Sequence, residues 1–213
     1  MGQGEKPAQQ ARAQRTRDEL VRALSRLLQR KSFEDIAVAE IAKEAGVSVG
    51  AVYRRFDNKD ALIPALFEVY EDRLAAWFGE AGGVVVDPEV GLRASLRHLA
   101  RASFAFLQRE APIARAAFAQ ARQRPDLVGE EWSALLASSR DSFHQLVQAF
   151  GSEIVRQDKA AAGGAVAYHF NTAFVEKALY RDEGVGALCA LEGDDFADAI
   201  ADMAYGYLTT PDD

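Results

Sequence analysis

Apolar positions recur at helical spacing along most of the chain, and no stretch alternates apolar and polar residues with a period of two. From Gln14 to Lys31, Leu20, Val21, Leu24, Leu27 and Leu28 share one helical face, with Arg12, Arg15, Arg17, Arg22, Arg26 and Arg30 around them. Two short helices follow around a glycine. Ile41, Ala42 and Ala45 form the apolar face of the first, Gly46 is the residue able to turn left-handed without a Cβ clash, and Val47 drops back into the core. Ser48 caps the second, on which Val52 and Phe56 face inward while Gly50 and Arg54, at 100° per residue, point outward. Asp57 or Asn58 is placed to cap a further helix over 59–78, with Pro64 early enough to be tolerated. The segment GEAGGVVVDPE over 79–89 reads as a connecting loop. Later helices are predicted over 89–109, 112–123, 126–150, 158–182 and 194–209. Pro112 and Pro125 stand near helix starts, Gly151 and Gly184 near helix ends, and Asp194 or Asp195 is a cap for the last. The fold class is all-α. Residues 1–11, rich in Gly, Pro and Gln, read as a mobile arm.

Composition agrees with a folded chain: 49% hydrophobic, 27% charged and only 6 prolines in 213 residues. The one cysteine, Cys189, has no internal disulfide partner, which fits a reducing cytoplasm and a small buried hydrophobe. No apolar run approaches the ~18 residues of a membrane span, and the opening residues lack the apolar core of a signal peptide. No membrane partner is expected. The net charge of −7 argues against nucleic acid until its distribution is considered. Residues 1–60 carry 12 Lys and Arg against 9 Asp and Glu, a net of +3, and residues 61–213 carry 13 against 23, a net of −10. A basic head on an acidic body attracts phosphate at one end only.

The two-helix unit with a small and then basic outward strip has the form of a DNA reader. Gly50 and Ala51 are short enough for the backbone to approach bases, and Val49 lies beside them. Arg54 is able to donate a bidentate pair to guanine, worth roughly 1–3 kcal/mol of discrimination. Arg55 lies to one side, as a phosphate ligand would. Two other functional classes remain. A helical metal-dependent enzyme has its best clue in Asp141-x-x-His144, but a di-iron centre wants paired Glu-x-x-His motifs and further carboxylates. Three histidines and one cysteine give no zinc spacing, and no phosphate loop, nucleophile elbow or dinucleotide fingerprint calls for a cofactor. A protein-binding adaptor is the other alternative.

Phe33, Ile41-Ala42, Ala45-Gly46-Val47-Ser48, Tyr53, Phe56 and Lys59-Asp60 stand in the order of a known pattern. The stretch from Phe33 to Leu62 resembles the tetracycline-repressor (TetR) family of one-component bacterial regulators. The resemblance implies a three-helix helix-turn-helix DNA-binding domain over 12–60 and a larger helical effector-binding and dimerisation domain over 61–213. It further implies that Ser48, Tyr53 and Lys59 contact phosphates while residues 49–51 and 54 face the major groove. In one respect the chain departs from the pattern: where relatives open the second helix with threonine or serine, it has Ile36-Ala37.

By the same resemblance the protein is a transcriptional regulator and not an enzyme. It binds double-stranded operator DNA as a homodimer and is released by a small, apolar or aromatic effector. Phe67, Tyr70, Trp77, Phe104, Phe118, Trp132, Phe143 and Phe174 are the aromatic pocket candidates, most of which must be core; His144 and His169 are able to supply polar anchors, although a histidine is more often satisfied in the core or at the surface. The last two helices are implied to form the dimer interface. Its candidates are the small residues Ala161, Gly164 and Ala165 beside Tyr168, and Phe196, Ile200, Met203 and Tyr207.

Overall fold

The computed structural model describes the backbone of residues 5–80, 89–180 and 184–212, with side chains also described except at 5–12, 78–80, 128–129 and 131. The chain is all-α. Its helices are α1 (Glu5–Leu27), α2 (Val38–Glu44), α3 (Val49–Tyr53), α4 (Ile63–Glu80), α5 (Gly91–Gln123), α6 (Pro125–Ala149), α7 (Lys159–Leu179) and α8 (Gly193–Thr209). Short 3₁₀ turns occupy Asp60–Leu62 and Val185–Leu188, and no strand occurs among the described residues.

Contacts divide the chain into two units, Met1–Tyr70 with Pro112–Gly129, and Glu71–Ala111 with Glu130–Asp213. Beside the predicted 12–60 segment, the first unit therefore takes in the start of α4 and the end of α5. Its core is what the periodicity predicts: Leu20, Val21, Leu24 and Leu27 of α1, Leu28 just after it, Ile41 and Ala42 of α2, and Val52 and Phe56 beyond them are all buried. Phe33, Ile36, Leu62, Ile63, Leu66 and Phe67 complete it.

The second unit is built around a run of phenylalanines. Phe143 meets Phe170 at 5.2 Å between centroids, Phe170 meets Phe174 at 5.1 Å, and Phe104 meets Phe174 and Phe196 at 5.4 and 5.0 Å. α6 and α7 approach closely because Gly163 lacks a side chain; a Cβ there would lie 2.9 Å from Val147 Cγ2. α5 and α8 are joined by a ladder of ion pairs. Arg93 and Arg97 both grip Asp202, and Arg101 grips Asp198 at 2.6 Å. The turn between α7 and α8 is held by Lys177, which is 4% exposed. Its ammonium donates to the carbonyls of Gly186 and Cys189 and pairs with Glu192 at 3.1 Å.

Several boundaries differ from the pattern's prediction. α5 runs unbroken through Pro112, where a helix start is expected. Proline removes one rung of the ladder and crowds the preceding carbonyl; the apolar face continues past it regardless through Ile113, Ala114, Ala117, Phe118 and Ala121, all buried. Of Asp57 and Asn58, it is Asn58 whose Oδ1 accepts from Ala61 N, at 3.0 Å, heading the 3₁₀ turn that precedes α4. Asp158 caps α7 by accepting from Ala161 N at 2.9 Å. α8 starts one residue before its expected cap: Glu192 holds the cap position and Asp194 and Asp195 lie in the first turn, where carboxylates favour the helix dipole. Within the predicted arm, residues 1–4 lie outside the described residues and 5–11 continue α1 as helix. Most of the predicted 79–89 loop, residues 81–88, also lies outside them, as do residues 181–182 at the predicted end of α7.

Candidate nucleic-acid interface

α2 opens at Ala37, whose side chain offers no acceptor. Its backbone N–H is instead taken by the Glu40 carboxylate at 3.0 Å, and Lys31 pairs with the same carboxylate at 2.5 Å. These two donors, the Ala37 amide first, hold the Glu40 carboxyl below its usual range. The helix ends as predicted: Gly46 turns at φ 69°, with Ala45 N on Ile41 O and Val47 N on Ala42 O, each at 2.9 Å. Val47 is only half-buried where the sequence places it in the core. Ser48 then caps α3, its Oγ accepting from Ala51 N at 3.2 Å.

On α3 Val52 is buried, as is Phe56 just beyond the helix, while Val49 is 41% and Tyr53 52% exposed. Gly50, Arg54 and Arg55 are also exposed, and Ala51 is half-buried. Arg54 leans back along the helix, its Nη1 3.9 Å from where a Cβ on Gly50 would stand. Small and basic residues thus share one open strip, as the helical spacing requires.

Several basic side chains of this unit are already engaged. Arg17 pairs with Glu68, Arg22 with Glu19, Arg26 with Glu44 and Lys31 with Glu40. Among the described residues no carboxylate pairs with Arg54 or Arg55. Lys59 is different again: its Nζ donates to the carbonyl of Glu34 at 3.0 Å and stands 4.5 Å from the ring centroid of Phe33. The sequence gives no warning of this, because a backbone carbonyl 25 residues away carries no side-chain signal.

The family model for bacterial regulatory proteins of the tetR family matches residues 20–66, the span from α1 to the start of α4. The transcriptional regulator UidR of Escherichia coli K12 is 27% identical over 208 residues, covering 94% of this chain and 96% of its own. Over residues 20–66 the chain is thus similar to the TetR family of regulators. Solved structures share its fold: a TetR-family transcriptional regulator from Mesorhizobium loti, 21% identical, covers 91% of this chain and 96% of its own with a TM-score of 0.63. Salmonella enterica GusR, 20% identical, covers 92% and 96% with a TM-score of 0.60.

Regulators of the TetR family are not enzymes, and the Asp141-x-x-His144 clue is absorbed by ordinary contacts. Asp141 sits 3.5 Å from its neighbour Arg140, and His144 Nε2 meets Gln148 Nε2 at 2.9 Å. Among the described residues no group of three His, Cys, Asp or Glu converges as a metal site would need. Among the described residues no helix is long and apolar enough to cross a membrane.

The pocket candidates separate into two sets. Phe67, Tyr70 and Phe118 are buried in the first unit, Tyr70 edge-on to Phe118 at 5.3 Å. Phe104, Phe143 and Phe174 belong to the phenylalanine run of the second, and Trp77 and Trp132 are half-buried. His144 is exposed, while His169 is held below its usual pKa by burial, its Nε2 without a partner. The interface candidates also divide. Ala161, Gly164, Ala165, Tyr168, Met203 and Tyr207 are exposed in the single chain. Phe196 and Ile200, predicted beside them, are instead buried within the protomer, Phe196 because it packs against Phe104.

Proposed function

We propose that the protein is a cytoplasmic repressor that binds a pseudo-palindromic DNA operator as a homodimer and leaves it when a small apolar or aromatic effector binds. The observation that carries this reading is the open strip on α3, where Gly50 leaves room for the duplex and Arg54 and Arg55 have no carboxylate to neutralise them. Arg54 reads guanine in the major groove, with Val49, Gly50 and Ala51 against the bases. Arg55 and the Tyr53 hydroxyl meet phosphates. Ser48 uses its oxygen as the cap acceptor, so its hydroxyl hydrogen remains to donate to a phosphate oxygen. With alanine at the start of α2, the side-chain phosphate anchor its relatives place there is absent.

A second copy brings a second α3 into the next major groove, about 34–36 Å along the duplex. The surface that supports pairing is the exposed stripe of Ala161, Gly164, Ala165 and Tyr168 on α7 with Met203 and Tyr207 on α8. Effector and operator exclude one another by linkage, each lowering the other's affinity by the same factor. The apolar, aromatic interior of the second unit matches the proposed effector chemistry.

The test is selection of a binding duplex from a randomised pool, then competition against single-base variants. Arg54→Ala is expected to flatten preference at one base pair in each half-site, a loss of about 1–3 kcal/mol there. Retention of full sequence preference by that variant would overturn the assignment, and release by no member of a broad effector panel would overturn the ligand-responsive part.

A further inference from the structure

The two segments that bracket α2 and α3 are joined to each other and to the last turn of α5. Before α2, Glu34 accepts twice: its carbonyl from Lys59 Nζ at 3.0 Å, and its carboxylate from Gln120 Nε2 at 2.8 Å. After α3, Asp60 accepts from Arg124 Nη1 at 2.9 Å. Arg124 and Gln120 are themselves one helical turn apart, with Arg124 N on Gln120 O at 2.7 Å. The path closes through the peptide bond between Lys59 and Asp60, so Glu34, Lys59, Asp60, Arg124 and Gln120 form a ring lying wholly in the first unit.

Two features show that the ring is specific. Gln120 is buried, 7% exposed, and the partner its amide reaches from there is the Glu34 carboxylate. Lys59 is held on two sides, by the Glu34 carbonyl and by the face of Phe33, which is itself buried. An ammonium fixed in this way gains from both the hydrogen bond and the ring quadrupole, and turning it toward a phosphate forfeits both.

We infer that Lys59 is a positioning residue and not a phosphate ligand: with Gln120 and Arg124 it closes a ring that fixes the two ends of the α2–α3 pair and thereby the angle at which α3 meets DNA. The inference rests on the reading that α3 contacts DNA. It assigns to Gln120 and Arg124, on a helix remote in sequence from the reading head, a part in operator affinity. It also explains why Phe33 and Lys59 occur together: one supplies the surface on which the other is held.

Salt dependence separates the two roles, because each phosphate contact contributes about 0.9 to the slope of log K against log salt on duplex DNA. Operator affinity of the full-length protein is measured across a salt series, using the duplex that the wild type selects from a randomised pool. The variants are Lys59→Ala, Gln120→Ala and their combination, with melting curves to establish that each is folded at the assay temperature. Each single variant is expected to weaken binding by roughly tenfold, as loss of a committed hydrogen bond does, with the wild-type slope retained. The combination should bind no worse than the weaker single variant, since the ring is already open. A slope shallower by about 0.9 for Lys59→Ala would return it to the phosphate contacts. Wild-type affinity for Gln120→Ala would overturn the ring, and this uncharged substitution decides the matter alone if Lys59→Ala does not fold. A wild type that selects no duplex overturns the DNA reading itself and this inference with it.

Discussion

Gly50 is a residue whose value to folding and to DNA reading pull apart. A Cβ there would meet only Arg54 Nη1 at 3.9 Å and Ser48 Oγ at 4.0 Å, both ordinary contacts. Gly50→Ala is therefore expected to leave the melting temperature unchanged or raise it, alanine being favoured over glycine in helices by up to about 1 kcal/mol. Its operator affinity should fall, because the added methyl occupies the space left for the bases. Melting curves beside binding titrations read the two effects separately, and unaltered affinity would remove the small face of α3 from the interface. This strip was legible in the sequence because residues four apart on a helix must share a face, and Gly46 and Ser48 fix where that helix begins. Lys59 was not legible in the same way. A lysine at a helix flank looks solvent-directed until the fold brings a carbonyl and an aromatic face to it.

Between elements, the α5–α8 ladder makes stability depend on pH. Arg93 and Arg97 hydrogen-bond Asp202, Arg101 hydrogen-bonds Asp198, and both carboxyls are held below the usual aspartate range. A carboxyl depressed in the folded state contributes stability in full above its unfolded pKa, near 3.9, and loses it as pH falls through the folded value. Asp202→Asn is expected to lower the unfolding midpoint at pH 7 and to lose that effect progressively below about pH 4. A difference that persisted undiminished in acid would show that Asp202 acts through packing instead. The partners are 97 to 109 residues apart, so no local pattern announces them. Pro112 is the converse case, a strong local stop signal overridden by buried apolar residues on both sides of it. Helix existence was readable from periodicity; continuity of α5 and the pairing of α8 depended on tertiary neighbours.

For the molecule as a whole, the exposed stripe on α7 and α8 should decide whether the protein works as a pair. Tyr168 is 74% and Met203 62% exposed in the single chain, large apolar side chains of the kind that mark an interaction surface when they cluster. Met203→Glu is expected to shift sedimentation from two protomers to one at micromolar concentration and to weaken binding to the two-half-site duplex far more than to a single half-site. A dimer that survived both this change and Tyr168→Arg would place the interface elsewhere. Of the residues the sequence proposes for this surface, Phe196 and Ile200 are buried in the single chain, since a helical repeat alone does not say which of two apolar faces looks inward. At the joined end of the same two helices, Lys177 fastens the turn between them. Because its amine is shielded there, amine-reactive reagents reach it only when the hairpin opens, so its rate of modification is a clock for that opening.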